Sequence, residues 1–165
     1  MALLVLIGLC LVAALALNAL GGGHRPTQLS DDRLSAAPGA GAGSYDLAGS
    51  DGGVFAFGGF PYEGSLPGDH VAANDIVGIA SSPHGGGSTL ADSAGGVFTF
   101  GNAPDEGSLL SEQVSAHDIV GITSTADGGG YWLVGADGGV FAFGDAAYEG
   151  SLPGDQISVH DIIGI

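Results

Sequence analysis

Three positions pair a polar or ionisable residue with an aspartate at a fixed interval: Asn74-Asp75, His117-Asp118 and His160-Asp161, each 43 residues from the last. Imidazole beside carboxylate suits metal or ligand binding, which makes His117 and His160 candidate ligand contacts at one end of a repeating structure. Neighbours on a strand point to opposite faces, however, so one His-Asp pair cannot readily chelate a single ion. An aspartate that begins a strand commonly bonds the preceding turn, and that role is the simpler expectation. Asp127, Asp137, Asp145 and Asp155 also read as turn caps, because no Asp-x-Asp-x-Asp-Gly run exists. Glu63, Glu106 and Glu149 occupy one recurring position rather than forming a carboxylate pair at a set separation. Ser65, Ser108 and Ser151 recur in the same way, with no Gly-x-Ser-x-Gly elbow. The glycine runs at 85–87 and 128–130 lack the Lys-Ser/Thr of a phosphate loop. The expectation is no catalytic residue, no metal site and no cofactor.

Aromatic residues are the other candidates. Tyr45, Tyr62, Tyr131, Trp132 and Tyr148 could form a platform for carbohydrate or peptide, since rigid amphipathic rings suit such binding. At strand positions they serve the core instead. The ligand-contact set read from the sequence is Tyr131, Trp132 and Tyr148, together with His117 and His160.

What must position these residues is a repeat. Gly-Gly-Val-Phe-x-Phe-Gly begins at Gly52, Gly95 and Gly138, a step of 43 residues. Glu-Gly-Ser-Leu begins at Glu63, Glu106 and Glu149, and Asp-Ile-(Val/Ile)-Gly-Ile at Asp75, Asp118 and Asp161, with the same step. Counting back one step from Asp75 reaches Asp32-Arg33-Leu34-Ser35-Ala36, a poor copy of the last motif. The units therefore run 32–74, 75–117 and 118–160, and 161–165 starts a further one.

In the third unit, residues 119–124, 131–136, 140–144 and 147–152 read as strands, rich in β-branched and aromatic residues. Asp137-Gly138-Gly139 is a hairpin signal, because tight hairpin turns need positive φ. Four antiparallel strands in a unit of this length predict an all-β fold of propeller blades, with an open β-solenoid or arc as the alternative. The Phe pairs 55/57, 98/100 and 141/143 should each lie on one face and bury against the next repeat. Three units fall short of a closed propeller of typically about four to eight blades. Further blades from a longer chain, oligomerisation or an open arc would follow.

Composition narrows the partners. Eighteen acidic residues face two basic ones, giving a net charge of −16. Such a surface repels phosphate backbones, so nucleic acid is not an expected partner. Residues 1–20 are almost unbroken Leu, Ala, Val and Ile, long enough for a hydrophobic helix that is either a signal peptide or a signal anchor. Residues 21–31 read as a Gly-rich spacer. The chain is thus expected to be exported, to an extracellular or cell-envelope location. Cys10, the only cysteine, permits no disulfide within the chain.

Tyr131-Trp132-Leu133-Val134-Gly135-Ala136-Asp137-Gly138-Gly139-Val140-Phe141-Ala142-Phe143-Gly144-Asp145-Ala146 resembles the Gly-Tyr-Trp-Leu-Val…Gly-Gly-Val-Phe-x-Phe-Gly-Asp-Ala repeats of secreted actinobacterial proteins. The resemblance covers 32–165. It is weaker in the second unit, where Ser88-Thr89-Leu90-Ala91 replaces Tyr131-Trp132-Leu133-Val134, and in the first, where Asp46 replaces the Trp. It implies propeller-like repeats with no activity of their own that accompany cell-wall or extracellular hydrolase domains. The chain is expected to be an exported, non-catalytic binding, adhesion or scaffold module at the cell envelope, with a wall glycan or protein as ligand; a propeller-type extracellular hydrolase, or an accessory fragment of a larger cell-wall enzyme, is the alternative. Thr125-x-Asp127-x-Gly129-x-x-Trp132 also resembles the Asp-box of sialidase-type propellers, a structural hairpin turn.

Overall fold

A computed structural model describes residues 34–38, as backbone, and residues 43–165. The hydrophobic segment 1–20 and the spacer 21–31 lie outside the described residues. Among the described residues no helix is long and apolar enough to cross a membrane.

The described elements are all strands: β1 (Leu34–Pro38), β2 (Tyr45–Gly49), β3 (Val54–Phe57), β4 (Ile76–Ser81), β5 (Gly87–Asp92), β6 (Val97–Gly101), β7 (Ile119–Ser124), β8 (Gly130–Gly135) and β9 (Val140–Gly144). They form three antiparallel meanders, β1-β2-β3, β4-β5-β6 and β7-β8-β9. Alternating β-branched and aromatic residues favour extended backbone, and each β2–β3-type connection is a Gly-Gly turn. In the second and third units the first strand carries a bulge, where the register shifts between Ile76 and Gly78 and between Ile119 and Gly121.

The expected fourth strand, 147–152, is absent. After Gly144, residues 145–160 run as an irregular loop with turns. A strand needs a ladder, and residues 147–152 make a single backbone bond back to their own sheet's hairpin, from the Leu152 amide to the Gly138 carbonyl at 3.1 Å. Leu66 and Leu109 make the same bond to Gly52 and Gly95. The leucine side chain lies over the hairpin turn: a Cβ on Gly138 would stand 2.5 Å from Leu152 Cδ1, and the backbone there has φ +78°. Glycine is required at that turn for both reasons.

The core lies between sheets, not within them. One cluster joins Ala48, Val54 and Leu66 of the first unit to Ile76, Ile79, Leu90 and Phe100 of the second, with Phe98 against it. The other joins Ala80, Ala91 and Leu109 of the second to Ile122, Tyr131, Leu133 and Phe143 of the third. The Phe pairs of the second and third units therefore pack against the preceding repeat, not the following one. Register explains this, since Phe98 and Phe100 stand opposite Leu90 and Ser88 on the face turned towards the first unit.

Backbone bonds tie successive units together. The Ile76 amide donates to the Ser50 carbonyl and the Ile119 amide to the Ser93 carbonyl, at 3.0 and 3.1 Å. Ser93 in turn donates to Asp75 of its own unit at 3.0 Å. First strands approach closely here: a Cβ on Gly78 of β4 would lie 3.1 Å from Ile122 Cγ2 and 3.6 Å from Gly121 Cα of β7.

Leu109 is buried between two units, while its equivalent Leu152 is half-buried. Leu109→Ala should cost about 2–5 kcal/mol, by lost transfer energy and a cavity. Leu152→Ala should cost measurably less, and urea denaturation of the two variants checks the difference.

Candidate functional site

Each loop after a third strand folds into a compact turn at 65–71, 108–114 and 151–157. The amides of Val71, Val114 and Ile157 donate to the carbonyls of Leu66, Leu109 and Leu152 at 2.9, 2.8 and 2.9 Å. The residue before each, His70, Gln113 or Gln156, has φ near +60° (60, 59 and 62°), a region non-glycine residues seldom occupy. The recurring serine organises the turn. Tyr62 OH and Ser65 Oγ share a hydrogen bond of 2.9 Å, and the Gly68 amide donates to Ser65 Oγ at 3.2 Å. Tyr148, Ser151 and Gly154 repeat this at 3.0 and 3.2 Å. In the second unit Asp105 stands in place of the tyrosine and its Oδ1 accepts the Gly107 amide at 3.1 Å.

These turns hold apolar side chains out in solvent. Tyr62 is 56% and Tyr148 57% exposed, and Val71, Val114 and Ile157, all at one repeat position, are exposed too. Trp132 belongs to the same surface, for its Nε1 donates to the Ala147 carbonyl at 2.7 Å, beside Tyr148. Trp132, on β8, is thereby tied to the residue that precedes Tyr148 in the loop.

Tyr131 lies elsewhere. Trp132 points to the opposite face of β8, while Tyr131 is buried against the second unit, its ring 5.5 Å from that of Phe143. Its hydroxyl donates to the Gly107 carbonyl. Burial pushes the phenol up to about 12, with the negative charges of Asp105 and Glu106 adding to the effect.

His117 and His160 are exposed, each just before the strand-start aspartate. Among the described residues no group of three or more His, Cys, Asp or Glu side chains could hold a metal ion. The aspartates work in turns. Asp51 and Asp137 accept the amides of Gly53 and Gly139 at 2.9 and 2.7 Å. Where Ala94 replaces that aspartate, Asp92 supplies the oxygen, accepting from Ala94 and Gly96 at 2.9 and 2.7 Å. Thr125 Oγ1 lies 2.9 Å from Asp127 Oδ1 and 3.1 Å from Asp145 Oδ1 and accepts the Gly130 amide at 3.1 Å. The Thr125 hydroxyl, followed by the Gly129 amide, holds the Asp127 carboxyl below its ordinary range.

Sequence reasoning treated Asp46 only as a missing tryptophan. The structure buries it at 2% exposure between the first two units. Ser81 Oγ donates to its Oδ2 at 3.0 Å, while Oδ1 is buried without a partner among the described residues. Burial raises its pKa, opposed by the Ser81 bond. An apolar-looking strand containing one aspartate gives the only signal of this in the sequence.

Two pH dependences follow. The folded state holds Tyr131 neutral, so its contribution to stability is intact below the ordinary phenol value of 10.0 and is lost as pH rises towards about 12. Tyr131→Phe should flatten that alkaline slope in melting temperature. Asp46 has the same sense in the acid range: its folded state favours the protonated form, so the penalty is absent below 3.8 and complete above the raised value. Asp46→Thr, the residue at the equivalent position of the second unit, should raise stability by about 1–3 kcal/mol at neutral pH. The gain should shrink in acid, as read by urea denaturation at both conditions.

No protein-family model matches the chain, and no curated protein matches it significantly.

Proposed function

We propose that the chain is an exported, non-catalytic repeat module of propeller type that binds an extended polymer of the cell envelope, glycan or protein, through its outer loops. The observation that carries this reading is the recurrence of exposed apolar side chains at loop positions: Tyr62 and Tyr148, and Val71, Val114 and Ile157. Packing between units does not require these residues, because the interior is filled by other positions. A partner with its own repeat would meet one contact per unit, and the rigid turns hold each contact in place at little entropic cost. Tyr148 and Trp132 form the richest part of that surface, and an aromatic pair of this kind suits the face of a sugar ring or a peptide side chain.

Export rests on the hydrophobic segment 1–20. A strongly acidic surface suits a wall or extracellular setting better than an anionic lipid face. The resemblance of the third unit to secreted actinobacterial repeats points the same way.

Co-sedimentation of the full chain with insoluble wall glycan and with wall-stripped envelope protein tests the reading. Binding to one of them is expected, and Tyr62→Ala with Tyr148→Ala should weaken it by about tenfold. Absence of binding to both, or binding unchanged in the double variant, would rule the polymer reading out.

A further inference from the structure

Positive φ belongs to glycine in this chain, with one repeated exception. Among the described residues thirteen glycines take it, and only His70, Gln113 and Gln156 take it with a side chain. The three stand at one repeat position, immediately before Val71, Val114 and Ile157. Glycine occupies that conformation without steric cost, so the turn does not require a side chain there. Nor do these side chains hold the turn together. The hydroxyls of Ser65, Ser111 and Ser151 do that, accepting the amides of Gly68, Ser108 and Gly154 at 3.2, 2.8 and 3.2 Å. The imidazole and the two carboxamides lie exposed and make no hydrogen bond among the described residues.

A side chain kept against its backbone's preference, in solvent and bonded to nothing, points to a contact made outside the chain. That contact has one chemical character. A carboxamide and a neutral imidazole each present a donor beside an acceptor, which complements a secondary amide of the ligand. The same turns supply apolar surface. Tyr62 leans over its turn, since a Cβ on Gly68 would lie 3.3 Å from its hydroxyl, and Tyr148 does so over Gly154 at 3.5 Å. Chain ends do not create this exposure. The middle loop has a unit on either side, yet Val114 is 40% exposed, against 42% for Val71 and 48% for Ile157. Charge narrows the ligand: Glu63, Glu106 and Glu149 stand in these loops, which hold no lysine or arginine, so a polymer of phosphates or uronates is repelled. A peptide added along an open strand edge fits poorly too, because each loop lies against the outer strand of the following unit. A Cβ on Gly64 would stand 2.6 Å from Phe100 Cδ1, and one on Gly107 3.7 Å from Phe143 Cδ1.

We infer that His70, Gln113 and Gln156 read the acetamido groups of an uncharged glycan built from N-acetylated amino sugars. The inference rests on the polymer-binding reading above and names its ligand class. The acetamido N–H donates to the glutamine Oε1 or the free imidazole nitrogen, and the acetamido carbonyl accepts from the glutamine Nε2 or the imidazole N–H. The acetamido methyl meets Val71, Val114 or Ile157, and sugar ring faces lie on Tyr62 and Tyr148. In the second unit Asp105 stands in place of the tyrosine, so Gln113 and Val114 carry that unit's contact alone. One such set per unit lets individually weak bonds add along the polymer. A sugar with a hydroxyl in place of the acetamido group leaves part of each set unpaired, which is the source of discrimination.

Co-sedimentation of the full chain, in non-ionic detergent, with insoluble chitin and with cellulose is the test; the two share a backbone and differ in acetamido against hydroxyl. Binding to chitin is expected to be about tenfold tighter than to cellulose. His70→Gly, Gln113→Gly and Gln156→Gly combined in one chain should weaken chitin binding about tenfold. The melting temperature of that variant should be equal or higher, because glycine relieves the left-handed backbone. A lowered melting temperature would assign the side chains to the turn and overturn the inference. Equal binding to chitin and cellulose, chitin binding unchanged in the triple variant, or binding to wall-stripped envelope protein alone would overturn it while the polymer reading stands. Binding to none of these polymers would remove the polymer reading itself, and the inference with it.

Discussion

Each unit of this chain has two apolar faces and too few strands to cover either one. That constraint governs everything else. A single repeat cannot bury its apolar faces alone, and here the side chains that should form its core belong to the junction with its neighbour. Leu90 and Leu133 are fully buried only because a preceding unit lies across them. The backbone bonds from Ile76 to Ser50 and from Ile119 to Ser93 fix the offset at which one sheet meets the next. Stability in such a stack is a sum of weak units and strong junctions, as in other quasi-one-dimensional proteins.

The junction also decides what the polar residues can do. Asp92 takes over the turn amides that Asp51 and Asp137 hold in the other units, two residues away in sequence. The turn needs an acceptor oxygen at one point in space, and the chain provides it from whichever residue reaches. Asp46 is the counter-example, a carboxylate placed where the neighbouring unit covers it. On the outer turns Tyr62, Tyr148, Val71, Val114 and Ile157 are left in solvent, where no neighbouring unit covers them.

Much of the architecture was legible because its signals are local. The Gly-Gly turns fixed the second hairpin of each unit, and alternation along 97–101 and 140–144 gave the strands and their Phe-bearing face. What escaped depends on three-dimensional partners. Residues 147–152 carry strand-like residues but meet only one backbone group of their own sheet, so no ladder forms. The side to which the Phe pairs turn follows from the order in which units stack, which periodicity alone does not contain. Tyr131 and Trp132 are adjacent and both aromatic; only their neighbours separate a core residue from a surface one. The compact turns at 65–71, 108–114 and 151–157, with their left-handed His70, Gln113 and Gln156, left no recognisable mark in the sequence.

The Leu of each outer loop docks on the hairpin turn of the unit that carries it, while the faces of every unit match those of its neighbours. A segment of 43 residues is therefore a self-contained module with interchangeable boundaries. Removing or duplicating one such segment in the gene would create no new kind of junction and would leave every remaining strand in register. The number of 43-residue segments thus sets the length of the stack without changing the kind of junction that holds it.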